Sequence, residues 1–124
     1  MNYIHTDKAP KAVGPYSQGI LTDNGLLFIS GQLPIDPKSG MVPADISGQT
    51  KQSLVNLFAI ASEAGFTQNN IVKTTVFMKD LSQFSEMNSI YESMFQGHKP
   101  ARATFEVSKL PKDVLIEIEA ICSK

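Results

Sequence analysis

The sequence predicts an α+β fold in which a mixed sheet carries two helices on one face. Short β-branched and aromatic runs recur along the chain, separated by glycine, proline and asparagine. Two longer stretches instead place apolar residues at helical spacing. Read in order the elements run β-β-β-α-β-α-β-β, a pattern that segregates helices to one side of a sheet. The 124 residues are expected to form one domain over 1–124, large enough to bury a core without staples.

Residues 3–5 read as a short edge strand, ended by the Ala9-Pro10 step. Gly14-Pro15-Tyr16-Ser17-Gln18-Gly19 is a glycine-bracketed turn that aims one aromatic hydroxyl, although Tyr16 could equally close the turn as a half-buried ring. Residues 19–21 and 26–30 form a hairpin around Asp23-Asn24-Gly25, residues that tolerate positive φ. Ser30-Gly31-Gln32 ends the second strand, where glycine suits either a close backbone approach or a bulge. Residues 34–44 hold three prolines and a glycine and read as a loop.

Asp45 caps a helix running to about 64, with Gly65 as its stop. Leu54, Leu57, Phe58, Ala61 and Ala64 form its core stripe, and Gln49, Lys51, Gln52 and Glu63 a solvated face. Residues 71–79 are β-branched and apolar, with no glycine or proline, as in a central strand. A second helix over 83–96, capped by Asp80 or Ser82 and stopped at Gly97, presents Phe84, Met87, Tyr91, Met94 and Phe95 as core. His98 follows the helix end, where a cation suits the dipole.

The last stretch reads as two strands, 103–107 and 114–122, joined by the turn Leu110-Pro111-Lys112-Asp113. Alternation points Val114, Ile116, Ile118 and Ala120 to one side and Leu115, Glu117, Glu119 and Ile121 to the other. Two carboxylates therefore share a strand face with apolar neighbours. Beside them in sequence stands Arg102, the only arginine in a chain with ten lysines. A planar fork that grips a carboxylate or phosphate with two hydrogen bonds is work that lysine does poorly. A structural salt bridge to Glu117 or Glu119 is the other reading of the same residues. Both faces of 71–79 and of 114–122 are apolar enough to suggest that the sheet's second face is covered by other copies of the chain.

A net charge of −1 provides no basic footprint for general nucleic-acid binding. No run of about 18 apolar residues suggests a membrane span, and Met1-Asn-Tyr-Ile-His-Thr-Asp-Lys lacks the apolar segment of a secretory signal. A cytoplasmic setting is expected. Cys122 is the only cysteine, so no internal disulfide forms, and His5 and His98 have no nearby cysteines to build a zinc site. No metal is expected.

Several motifs together resemble the reactive intermediate deaminase A family (RidA, formerly YjgF). They are Gly14-Pro15-Tyr16-Ser17-Gln18, Ser30-Gly31-Gln32-Leu33-Pro34, Val72-Lys73-Thr74-Thr75-Val76-Phe77, Pro100-Ala101-Arg102 and Lys109-Leu110-Pro111-Lys112-Asp113, followed by Ile116-Glu117-Ile118-Glu119-Ala120. They run in order over nearly the whole chain. The resemblance implies a chorismate-mutase-like fold assembled as a homotrimer, with ligand clefts between subunits. It implies hydrolysis of imines and enamines, 2-aminoacrylate among them, released by pyridoxal-phosphate-dependent dehydratases. The products are 2-keto acids and ammonia, and no cofactor is required.

By the same resemblance, Arg102 binds the substrate carboxylate and Glu119 is the carboxylate associated with the attacking water. Tyr16, Ser30 and Gly31 line the cleft, and Asn88 matches an asparagine near the subunit interface. Glu117 is expected to take a structural or interface pairing role. Thr104 departs from the family, standing where many members carry a cleft-facing cysteine, so thiol-dependent behaviour there is not expected. Its hydroxyl can still hydrogen-bond a ligand or water. Cys122 is no substitute, because parity puts it on the other strand face from Glu119. Two further readings are a keto-acid-sensing regulatory module that needs Arg102 but not Glu119, and an RNA-directed activity, which the scarcity of clustered basic residues disfavours.

Overall fold

A computed structural model describes all residues from Met1 to Lys124. Its six strands are β1 (Asn2–Ile4), β2 (Gly19–Leu21), β3 (Leu26–Gln32), β4 (Ile71–Met78), β5 (Ala101–Glu106) and β6 (Ile116–Ser123). They form one sheet in the order β1-β2-β3-β6-β4-β5. All neighbours are antiparallel except β4 and β5, which run parallel. Helices α1 (Ile46–Glu63) and α2 (Phe84–Phe95) serve as the crossovers from β3 to β4 and from β4 to β5.

The helices cover one sheet face, and the core lies between the layers. Leu54, Leu57, Ile60 and Ala61 of α1 and Met87, Tyr91 and Phe95 of α2 join Ile116, Ile118, Ala120 and Cys122 of β6 in one apolar cluster. Phe58 meets Phe95 edge-on at 5.3 Å between ring centres where the helices touch. The alternation in β6 fell as expected: Ile116, Ile118 and Ala120 are buried, Glu117 is half-buried and Glu119 is exposed.

The expected C-terminal hairpin does not form. β5 pairs only with β4, whereas β6 lies between β3 and β4 and pairs with both. Chemistry explains the assignment. The apolar alternate residues of β6 need an interior position, and β5, with Phe105 and Glu106 exposed, tolerates the edge. The Pro111–Asp113 turn is therefore a crossing over the end of β4, held by Lys79 N–H to the Leu115 carbonyl and by a Lys79–Asp113 ion pair at 2.6 Å. β5 also begins two residues earlier than expected, so Arg102 sits within the strand.

Asp45 caps α1 by accepting from the Gly48 N–H at 2.8 Å, and Gly65 follows the helix at φ +83°. Gln49, expected on the solvated face, is 5% exposed. Its amide accepts from Leu115 N–H at 2.7 Å and donates to the Pro43 carbonyl at 2.9 Å, so it ties two loops to the helix. Asp80 caps a 3-10 turn, Leu81–Gln83, that precedes α2, and α2 stops at left-handed Gln96 and Gly97. His98 Nε2 lies 2.7 Å from the Ile71 carbonyl, which requires the ring N–H at that nitrogen.

Candidate functional site

β4 decides where the expected site residues point. Thr74 is the register partner of both Arg102 and Ala120, and the next residue, Thr75, is the partner of both Ala103 and Glu119. Residues opposite one another share a face and successive residues alternate. Arg102 therefore leaves the sheet on the helix side, with Thr104 two residues on, and Glu119 leaves it on the open side.

Arg102 is held by one face of α2. Its Nη1 donates to Asn88 Oδ1 at 2.7 Å. Its guanidinium carbon lies 4.8 Å from the centre of the Tyr91 ring and 5.4 Å from that of Phe84. Phe84, Asn88 and Tyr91 are spaced i, i+4, i+7, which stacks them along a single helical stripe. The stripe that reads as plain core in the sequence also forms a bed for the cation. Nε and Nη2 of Arg102 have no hydrogen-bond partner in the chain. A solvent-open depression of about 950 Å³ adjoins the guanidinium, lined by Asn88, Tyr91, His98, Lys99 and Arg102 among others. No ion pair joins Arg102 to Glu117 or Glu119, so the intrachain salt bridge is not what this arginine makes.

The second group lies on the open face. Glu119, Ser30, Phe28 and Ile121 line a shallow recess of about 240 Å³. Ser30 donates its hydroxyl to the Ser17 carbonyl and its N–H to the Gln18 carbonyl, which anchors the Tyr16 turn beside the recess. Tyr16 itself is 52% exposed. The pairing of β3 with β6 slips between Ile29 and Gln32, so Ser30-Gly31 is a bulge. It is also a close approach: a Cβ at Gly31 would overlap the Glu117 carboxyl. Burial, with Glu119 adding to it, pushes the Glu117 carboxyl above its ordinary pKa.

The structure thus sorts the expected residues into Arg102, Asn88 and Thr104 on the helix side, and Glu119, Ser30, Gly31 and the Tyr16 turn on the other. Within one chain the two sets do not meet. Tyr91 and Phe84 were not among the expected site residues, and their i−4/i+3 spacing about Asn88 was the signal available. No group of three His, Cys, Asp or Glu side chains comes together, and no helix is long and apolar enough to cross a membrane.

The family model described as Endoribonuclease L-PSP matches residues 6–124. A RutC family protein of Pyrococcus horikoshii is 54% identical over 122 residues, covering 98% of this chain and 96% of the relative. A 2-iminobutanoate/2-iminopropanoate deaminase of Escherichia coli strain K12 is 52% identical over 121 residues, covering 95% of this chain and 94% of the relative. The crystal structure of the YjgF gene product of Escherichia coli matches with a TM-score of 0.96 and 49% identity, over 100% of this chain and 99% of that one.

Proposed function

This chain belongs to the Endoribonuclease L-PSP family, the YjgF/RidA group, and from that membership we propose that it is a 2-iminobutanoate/2-iminopropanoate deaminase. The observation that carries the reading is the state of Arg102. Its guanidinium is fixed by Asn88, Tyr91 and Phe84, and two adjacent donors are left for a planar anion. A 2-imino acid presents such an anion next to its reactive carbon.

In this mechanism the substrate carboxylate docks on Arg102, which holds the C=N carbon one bond from a fixed point. Glu119 orients a water and takes its proton as the oxygen adds to that carbon. Addition to the protonated imine gives a neutral carbinolamine. Glu119 passes its proton to the nitrogen and then takes the hydroxyl proton as the C–N bond breaks. Ammonia leaves, the carbonyl of the 2-keto acid forms, and the last proton departs with ammonia as ammonium. A protonated imine is already electrophilic, so the reaction is a hydrolysis that needs no cofactor. Tyr16, Ser30 and Gly31 wall the Glu119 side, and Thr104 flanks Arg102 where a hydroxyl can reach ligand or water.

Because Arg102 and Glu119 face opposite ways, this mechanism requires two copies, one supplying each. The assembly we favour is a homotrimer whose clefts lie between subunits and whose open sheet faces, with Phe28 and Phe105 exposed, are covered by neighbours. The chain acts as one domain in a cytoplasmic setting. Eleven basic residues against twelve acidic ones give no support for RNA as the substrate.

The test is a coupled assay with purified threonine dehydratase and threonine, in which semicarbazide competes for the imine. Wild type should speed 2-ketobutanoate release, and Arg102→Ala should not. Absence of acceleration by wild type would remove the enzyme reading. Glu119→Gln then separates a catalyst from a metabolite sensor: it should abolish turnover and leave 2-ketobutanoate binding intact.

A further inference from the structure

Arg102 sits on an edge strand and ends in a long, flexible side chain, so its orientation has to be imposed from outside. The imposing group is itself fixed. Tyr91 is buried, and its hydroxyl lies 2.7 Å from Thr74 Oγ1, which is also buried. Thr74 is in turn the residue that pairs across the sheet with Arg102. Backbone pairing, the hydroxyl bond and the ring–cation contact therefore close a loop, from Arg102 through Thr74 and Tyr91 back to Arg102. Phe95 packs against the Tyr91 ring at 4.6 Å, on a side chain that is itself buried. A phenol that could swivel would offer the cation a moving surface, and one pinned at its hydroxyl cannot.

Resting on the deaminase reading, we infer that Tyr91, pinned by Thr74, is a positioning residue that sets the plane of the Arg102 guanidinium and so of the substrate carboxylate. Asn88 fixes the remaining degree of freedom by engaging Nη1, which leaves the Nε and Nη2 edge for the ligand. A bidentate contact tolerates little rotation, so the loss of either constraint weakens carboxylate capture without touching the groups that handle the proton. A phenylalanine here would keep the ring but lose the hydroxyl that reaches Thr74.

The sole arginine makes the test direct, since an isotopically labelled chain has a single guanidinium Nε–H resonance to follow. In wild type that resonance should lie away from the free-arginine position and shift on titration with 2-ketobutanoate. The informative variant is the double substitution Thr74→Val with Tyr91→Phe, which removes both hydroxyls and leaves no orphaned partner. Its thermal unfolding should stay close to wild type, its Nε–H resonance should move toward free arginine, and its Kd for 2-ketobutanoate should rise about 10-fold. Tyr91→Leu, which removes the ring, should weaken binding further. If that variant does not fold, the double variant still decides. An unchanged resonance or an unchanged Kd in the double variant overturns the inference. If wild type neither binds 2-ketobutanoate nor speeds its release, the deaminase reading falls, and the ligand-free resonance still judges the clamp by itself.

Discussion

Arg102 and Glu119 lie on adjacent rows of the same sheet and point away from each other, because their partners on β4 are the consecutive residues Thr74 and Thr75. One residue of register separates the proposed anchor for a carboxylate from the carboxylate proposed to handle water. A site that uses both must therefore be assembled from two chains.

Subunit mixing tests that geometry. Arg102→Ala and Glu119→Gln should each be inactive alone. Equal amounts, unfolded and refolded together, should regain about a quarter of the wild-type rate, since each composite site needs one intact residue from each of two randomly chosen neighbours. No recovery in assemblies shown by mass to be mixed would mean that the two residues do not share a site.

Gly31 and Glu117 should behave as a coupled pair. Gly31→Ala pushes a methyl into the Glu117 carboxyl and should cost about 1–3 kcal/mol in chemical denaturation. Shortening the partner with Glu117→Ala should return most of that loss, a coupling of about 1 kcal/mol or more in the double-mutant cycle. Additive losses would show that the strain at residue 31 is carried elsewhere.

Glu117 also predicts a pH dependence with a definite sign. Its pKa in the folded chain is raised by burial and by Glu119, so the folded state binds the proton more tightly than the unfolded chain does. Its stabilising contribution is complete below the ordinary glutamate range and is lost as pH rises through the folded value. Glu117→Gln, permanently neutral, should melt higher than wild type at pH 7, and the gap should close toward pH 4. A gap that widened in acid would reverse the assignment.

Cys122 should be chemically silent in the folded protein. It is fully buried, and burial raises its thiol pKa to about 11. At pH 8 only about one thiol in a thousand is ionised, so a disulfide reagent should titrate nothing in the native chain within minutes and one thiol per chain in denaturant. Rapid native labelling would show that β6 opens far more readily than its pairing on both sides implies.

The legible parts of this fold were those governed by local periodicity. Ile116, Ile118 and Ala120 against Glu117 and Glu119 follow from the two-residue repeat of a strand, and the limits of α1 follow from Asp45 and Gly65. Strand partners were not legible in the same way. The Leu110–Asp113 segment looks like a hairpin turn because turn chemistry is local, yet pairing was decided by how much apolar surface β6 could bury between β3 and β4. Gln49 reads as solvated for a related reason: nothing in its own neighbourhood announces the Leu115 N–H that it meets across the fold. At the site, the family motifs brought the residues forward, but their division between two sheet faces appears only once the register of β4 is known.

The position of β6 has a consequence for biosynthesis. The strand that fills the middle of the sheet is the last of the six to be made. A nascent chain that has delivered only residues 1–115 holds two separate fragments, β1-β2-β3 and β4-β5, and both β3 and β4 expose an unsatisfied edge where β6 will sit. Until that final segment clears the ribosome the chain is a pair of sticky half-sheets, so its escape from aggregation depends on the speed of a single late insertion.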